Sequence, residues 1–235
     1  MKFTRILLKL SGEALMGEGE QFSHSKLTDL ARYIAEVQQM GVQIGIVIGA
    51  GNIFRARSAN LEIVDRVTAD NVGMLATIMN ASILRDYLRA EGLKANILSP
   101  REVRPLTGAF ARDTALGLLQ AGHVLIFAGG TGNPFFTTDS AASLRALEIS
   151  ADALLKGTQV DGVYDKDPHK FDDAKRYDKL TYGEVLDQRL QVMDLTAVTL
   201  CSEMGLPMFV FDISDPANLV KTIEGTQRGT WITKE

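Results

Sequence analysis

The chain has 235 residues, 46% of them hydrophobic and 23% charged, and a formal net charge of -4. That composition suits a globular protein with a sizeable core, and the length suits a single α/β layer structure rather than two ordinary domains. The acidic balance argues against general nucleic-acid binding, which needs a basic face; the one cysteine, Cys201, excludes an internal disulfide framework; and no apolar run approaches the roughly 18–20 residues that cross a bilayer.

The N-terminus leads directly into a patterned strand over 5–10 (RILLKL) with no leader-like cleavage region, so a cytoplasmic protein with no membrane association is expected. Leu27, Leu30, Ile34 and Val37 fall on one face of a predicted helix over 26–40, which Gly41 stops. A strand over 42–48 (VQIGIVI) follows, then a long helix over 68–91 closed by Gly92, and a strand over 94–98. Asp113 is placed to cap a helix reaching 120. The run 123–128 (HVLIFA) is apolar almost throughout, as expected of a strand covered on both faces. A helix over 140–149 and a strand over 153–156 come next. Thr181 with Glu184 forms a capping box for a helix to about 190. A helix over 195–204, a strand over 208–211, a helix over 217–223 and a strand around Trp231 complete the chain. Cys201, among Val198, Leu200, Met204 and Leu206, reads as a buried small hydrophobe. The βα alternation predicts a three-layer αβα sandwich around a largely parallel sheet, in one domain over 1–235.

Ligands of such sheets bind beyond the carboxyl ends of the strands, and glycines gather there. The first strand ends in Lys9-Leu10-Ser11-Gly12-Glu13, the second in Gly49-Ala50-Gly51-Asn52 with Phe54-Arg55 beyond, and the strand at 123–128 in the loop 129–139 (GGTGNPFFTTD). Glycine lets backbone N–H groups approach an anion, and a following helix adds its positive end, so three such turns make a cradle for phosphates. Taken alone, Gly49-Ala50-Gly51 is as well read as a tight βα connection, and there is no GxxxxGK[ST] in the chain.

Lys9 ends a buried strand, where an unpaired ammonium is costly, so it should point at an anion in the crevice. Arg55 is placed for bidentate phosphate contact. Two readings stay open for Asp139, a helix N-cap or a carboxylate of the site, and two for Lys156, which ends its strand and either joins the site or reaches solvent. Asp70, in the first turn of the long helix, reads either as a solvated or capping carboxylate or as an acceptor for two ribose hydroxyls. The loop 157–168 carries the DG and DP signals of a surface turn, or else forms an adenine pocket with Tyr164 as an apolar wall. No histidine stands as a general base: His24, His123 and His169 are isolated, and His123 reads as structural. A phosphate acceptor accounts for this, since its second pKa of about 6 leaves it nucleophilic near neutrality.

Read together, LLKLSGEAL (7–15), IGAGNIFR (48–55), GMLATIMN (73–80), GTGNPFFTTDSAA (130–142), LLKGTQVDGVYDKDP (154–168), LTYGEVL (180–186) and VMDL (192–195) make the chain resemble the bacterial-type UMP kinases of the amino-acid-kinase superfamily from about Arg5 to Thr233. The resemblance implies transfer of the γ-phosphoryl group of Mg²⁺-ATP to UMP in pyrimidine nucleotide biosynthesis. It also implies a homohexamer, feedback inhibition by UTP, an acceptor site in the N-terminal part and an ATP site mainly beyond about residue 140. By position, Lys9 and Gly12 approach the transferring phosphate with Leu10, Ser11 and Gly51 beside them. Arg55 contacts phosphate, and Asp139 organises the catalytic lysine and the metal region without binding the metal directly. Asp70 holds the UMP ribose; Thr131, Gly132, Asn133, Pro134, Phe135, Phe136, Thr137 and Thr138 enclose UMP together with Ala50. Thr158, Tyr164 and Asp167 line the ATP site, and Asp194 matches an acidic position near the reaction centre.

Three departures stand out. Ala50 replaces the middle glycine of a GGGN turn, which strains the backbone if that position needs a positive φ. The loop 17–22 and the stretch 99–123 differ from the GTP-activated members, so the resemblance does not carry GTP activation. The rival readings are a superfamily kinase acting on carbamate, aspartate or acetylglutamate, and a non-catalytic relative that stores oxyanions or senses nucleotide. The TGNPFFTTD loop and Asp70 favour a nucleotide acceptor over a small acid, and the joint presence of Lys9 and Asp139 favours catalysis over storage.

Overall fold

The computed structural model describes residues 3–55 and 62–235; the first two residues and the stretch after Arg55 lie outside it. Strands β1 (Arg5–Leu10), β2 (Gln43–Ile48), β5 (His123–Phe127) and β6 (Ala153–Thr158) form the centre of a nine-stranded sheet among the described residues. β1, β2 and β5 are buried at nearly every position, because helices cover both faces and leave no place for a polar alternation. β3 (Lys94–Ser99) and β4 (Gly108–Ala109) extend the sheet on one side. On the other side lie β10 (Met208–Asp212), β11 (Thr230–Thr233) and β9 (Lys179–Thr181), giving the order β4-β3-β5-β2-β1-β6-β10-β11-β9. Every neighbouring pair is parallel except β10 with β11, so β11 and β9 run against the rest. A short ribbon of β7 (Val163–Tyr164) and β8 (Arg176–Tyr177) stands apart.

One face of the sheet is covered by α1 (His24–Gln39), α2 (Arg66–Ala90) and α7 (Ala217–Glu224). Leu27, Leu30, Ile34 and Val37 of α1 all turn inward, as their spacing requires, and meet Ile6, Leu8, Ile44 and Ile46. The other face carries α3 (Arg112–Gln120), α4 (Thr138–Glu148), α5 (Tyr182–Asp187) and α6 (Leu195–Met204), whose Ala142, Ala146, Val198 and fully buried Cys201 pack with Leu7, Val47 and Leu154. The expected αβα sandwich is therefore present. From β1 the chain passes to β2 on one side, and after β5 it crosses to β6 on the other. That reversal opens a crevice at the carboxyl ends of these four strands.

Local differences have local causes. Ala111, not Asp113, occupies the cap position of α3 and makes no side-chain cap bond; Asp113 lies two residues further on, in the first turn, where its charge suits the helix dipole. The Thr181–Glu184 capping box is formed, but α5 ends at Asp187, and Arg189 at φ 53° takes the chain out of helical geometry. Strands β4, β7, β8 and β9, two or three residues each, have too little periodicity to be seen in the sequence.

Candidate active site

Strand alternation sets the centre of the site. Lys9 shares the face of Leu7 and Lys156 that of Leu154, and the two lysines are direct partners in the parallel register of β1 and β6. Two like charges so placed repel unless an anion stands between them. The anion comes from α4. Thr137 is its N-cap, its hydroxyl accepting from the N–H groups of Asp139 and Ser140, so Asp139 is in the first turn and is not the cap. Its side chain faces the lysines instead: Oδ1 lies 2.7 Å from Lys9 Nζ and Oδ2 3.0 Å from Lys156 Nζ. Lys156 also donates to the Val192 carbonyl. Both lysine side chains are nearly buried, 10% and 13% exposed, so of the two readings of Lys156 the structure agrees with a place in the site and not with an exit to solvent.

The electrostatics follow from this packing. Burial alone would raise the Asp139 carboxyl, but Lys9 and then Lys156 outweigh it and hold the group below its ordinary value. For Lys156 burial dominates: it lowers the ammonium, Asp139 restores part of the loss, and Lys9 pushes the same way as burial. Two cations share the Asp139 carboxylate, and Asp194 nearby adds a second negative charge that favours the Lys156 ammonium. Oδ1 of Asp139 is buried and, although Lys9 lies at ion-pair distance, it has no hydrogen bond in line.

The glycine turns are locked from below. A Cβ at Gly12 would lie 2.2 Å from Asn52 Oδ1 and 2.9 Å from the Gly49 carbonyl oxygen, so only glycine allows the first two turns to meet. Asn80, fully buried on α2, donates to Gly49 O at 2.7 Å and exchanges side-chain hydrogen bonds with Asn52 at 2.8 and 3.1 Å. Thr77, one turn earlier, accepts from Gly129 N at 2.8 Å and fixes the third turn. Ala50 adds no strain, because positive φ among described non-glycine residues is confined to Phe135, Ser150 and Arg189.

Above these turns lies a cavity of about 560 Å³. The structure brings to it Lys9, Ser11, Gly12, Ala50, Gly51, Arg55 and Asp70 from the first half of the chain, and Asn133, Phe136, Thr137, Thr138, Asp139 and Asp194 from the second. Arg55 is half-buried, donates to Gly51 O at 3.2 Å and pairs with Glu13 across the cavity mouth. Asp70 is neither solvated nor a cap; Asp65 caps α2. Both oxygens of Asp70 accept from Arg66 Nε at 2.9–3.0 Å, and one also accepts from Phe135 N at 2.8 Å, which ties α2 to the 129–139 loop. Asp194 caps α6 through Ala197 N, and accepts from the Thr137 and Ser140 hydroxyls. It thus pins the start of α4 that presents Asp139.

Other expected residues stand outside this cavity. Leu10 is fully buried in the core, Thr131, Gly132 and Pro134 do not line it, and Phe135 is exposed. Thr158, Tyr164 and Asp167 belong to β6 and the loop beyond it: Thr158 Oγ1 bonds to Val160 O and, at 3.5 Å, to Phe211 O, Tyr164 OH donates to Asp161, and Asp167 accepts from His169 N. Residues not singled out in the sequence also line the cavity, notably Glu13 and Arg66. The hint for Arg66 was its i, i+4 spacing from Asp70; for Asn80 it was an amide at a core position, which must have a partner.

Known proteins resemble this chain in both sequence and fold. Residues 4–212 match the amino acid kinase family. The chain is 52% identical over 233 residues to the uridylate kinase of Legionella pneumophila (strain Paris), covering 99% of this chain and 94% of that protein. The UMP kinase structure from Bacillus anthracis superposes with a TM-score of 0.96 at 37% identity, covering 100% of this chain and 98% of that one. The uridylate kinase structure from Archaeoglobus fulgidus gives 0.75 at 28%, covering 99% and 100%.

Proposed function

The chain belongs to the amino acid kinase family, among its uridylate kinases, and from that position we propose that it transfers the γ-phosphoryl group of ATP to UMP, giving UDP and ADP for pyrimidine nucleotide biosynthesis. The observation that carries this reading is the convergence of Lys9, Arg55, Asp70, Asn133, Phe136, Thr137, Thr138 and Asp139 on one cavity at the carboxyl ends of the strands. Buried cations, aimed backbone N–H groups and little else are what phosphoryl transfer asks of a protein. No histidine lines the cavity, and none is needed: the UMP phosphate attacks as an anion and gives up no proton to a base.

In this reading the protein is one domain, with the acceptor held mainly by the N-terminal part and the donor mainly by residues beyond about 140. Asp70 takes the UMP ribose, with Ala50 and the loop from Thr131 to Thr138 around the base and phosphate. Lys9 and Arg55 neutralise the transferring phosphates beside Ser11, Gly12 and Gly51, and Thr158, Tyr164 and Asp167 meet the rest of ATP. Among the described residues no group of three or more His, Cys, Asp or Glu could cage a metal ion. Mg²⁺ would ride on the nucleotide phosphates, with Asp139 ordering the lysines that face them. When bound, the ion offsets the negative charge of the phosphates.

A homohexamer is part of the proposal, supported by an apolar stripe of Val72, Leu75, Met79 and Ile83 that α2 leaves exposed. So is feedback by UTP, which shares the uracil and ribose of UMP, and a cytoplasmic location. No helix among the described residues is long and apolar enough to cross a membrane. The test is ADP release from Mg²⁺-ATP with UMP, CMP, dUMP, carbamate, aspartate and acetylglutamate offered one at a time. Turnover confined largely to UMP is expected. Turnover with a small acid would overturn the acceptor, and silence with all six would overturn catalysis.

A further inference from the structure

Asp70 lines the cavity with only 10% of its side chain exposed, so its charge needs donors. An ionised carboxylate offers about four acceptor sites, shared evenly by its oxygens. Among the described residues two donors come to them. Phe135 N lies 2.8 Å from Oδ2, and Arg66 Nε lies 2.9 Å from Oδ2 and 3.0 Å from Oδ1. Nε carries a single hydrogen, so the bond from Arg66 is split between the two oxygens and is weaker to each than a direct one.

Helix stability does not account for this pair. Half of the Arg66 side chain is exposed, and an exposed i, i+4 ion pair adds little to a helix. The guanidinium also lies 5.8 Å from the centre of the Phe135 ring, within cation–π reach. Phe135 holds φ at 71°, a left-handed backbone that a bulky residue rarely adopts, and it is from this conformation that its N–H reaches Asp70. Arg66 therefore touches the carboxylate directly and also the residue that supplies its other donor.

We propose that Arg66 is a positioning residue that makes Asp70 selective for a ribose over a deoxyribose. The proposal rests on reading Asp70 as the group that takes the ribose of UMP. Phe135 N already fixes Oδ2. When the nucleotide enters, the split bond from Arg66 moves wholly to that oxygen, which fills Oδ2 and leaves both sites of Oδ1 to two vicinal hydroxyls. Every acceptor site then has its donor. A deoxyribose brings one hydroxyl and leaves a site of a nearly buried carboxylate empty.

The test is Arg66→Met, which keeps an unbranched stem beside Phe135 and removes the donor, with Arg66→Lys as the variant that keeps a charge able to reach Asp70. UMP and dUMP binding are measured by calorimetry without a donor nucleotide, and the thermal midpoint is followed alongside. The wild type should bind UMP at least about tenfold more tightly than dUMP, the equivalent of one hydrogen bond to a charged group. In Arg66→Met the carboxylate keeps only its bond from Phe135 N. UMP should then weaken about tenfold and dUMP less, so that the preference for UMP falls at least about threefold with the midpoint nearly unchanged. Arg66→Lys should regain part of the preference. Equal weakening of UMP and dUMP, which a merely structural arginine gives, would overturn the proposal. So would tighter binding of UMP, no recovery in Arg66→Lys, or a wild type that binds UMP and dUMP alike. If the wild type binds UMP but does not phosphorylate it, the kinase reading fails, while the UMP-to-dUMP preference still decides the role of Arg66; if it does not bind UMP, both fall.

Discussion

Asp139 and Asp167 are both proposed to handle nucleotide, yet their carboxylates are held in opposite ways. Asp139 is gripped by Lys9, 130 positions away in sequence, and by Lys156, on a strand across the crevice, while Asp194 fastens the cap of its helix from a third element. The glycine turns beside it are tied by Asn80 and Thr77 from α2. In the loop beyond β6 the side chains assigned to the nucleotide bond mainly to near neighbours, Asp167 with His169 and Lys170, Tyr164 with Asp161 and Thr158 with Val160, while Thr230 and Arg176 anchor the backbone between them. The functional side chains of the first region are fixed by distant residues before any ligand arrives; those of the second are held mainly within their own loop, so their nucleotide contacts are expected to form on binding. Preorganised charge acts on the transition state, whereas contacts formed on binding act mainly on affinity. Substitutions in the first region should therefore reduce turnover, and those in the second should raise the KM for ATP.

The largest effect is expected from Lys9→Ala. Loss of a preorganised cation at the transferring phosphate should lower kcat by at least about 10²–10³-fold. The fold should be kept, because Lys156 remains to pair with Asp139. A kcat within about threefold of wild type would break the comparison at its centre. Asp139→Asn comes next and differs in kind. It leaves two register-paired lysines without their shared anion, so a loss of about 3 kcal/mol is expected, or about 6–12 °C in the melting midpoint. Because the carboxyl is held below its ordinary 3.8, it favours the folded state at all pH values above that, and the contribution is lost as acid protonates it. A stability curve against pH should show that loss below about pH 3.8 in the wild type and not in Asp139→Asn. Equal acid sensitivity in both would show that the two lysines do not set its titration.

How much of this was legible in the sequence depends on the range of the interaction. The parallel core strands could be read from continuous apolar runs, and α1 from the inward spacing of Leu27, Leu30, Ile34 and Val37, because each is a local consequence of burial. Lys9 could be read as well, since a charge ending a buried strand needs an anion. Lys156 ends its strand in the same way, but Gly157 after it offered an easy route to solvent, and only the β1–β6 register shows the two lysines side by side. Asp139 stayed ambiguous because Thr137, Thr138 and Asp139 can all cap a helix, and which one does so depends on the distant lysines. The Asn80–Asn52 pair and the Arg55–Glu13 contact join residues brought together only by tertiary packing, so no spacing pattern announces them.

Asp70→Asn should have an intermediate effect. Asparagine can still accept from Phe135 N and keep the loop attached to α2, but the charge that would grip two ribose hydroxyls is gone. The KM for UMP should rise by the equivalent of about 1.5–3 kcal/mol, with a smaller change in kcat. Equal losses in UMP and ATP affinity would place Asp70 with the structural bonds of the loop and not with the acceptor.

The smallest effect is expected from Tyr164→Phe. The hydroxyl makes one 2.5 Å bond, to Asp161 in its own loop, and the ring is the part of the side chain assigned to the nucleotide. Removing the hydroxyl breaks a solvent-accessible local bond worth about 0.5–1.5 kcal/mol and leaves the ring in place. The KM for ATP should therefore change by less than about tenfold, with kcat and the KM for UMP unaltered. A collapse of kcat would mean that the loop is coupled to the lysine cluster before the nucleotide arrives, and the division between a prebuilt acceptor side and a binding-assembled donor side would fail. A change confined to ATP affinity would support that division, and Tyr164→Ala, which removes the ring as well, should then enlarge the same parameter and no other.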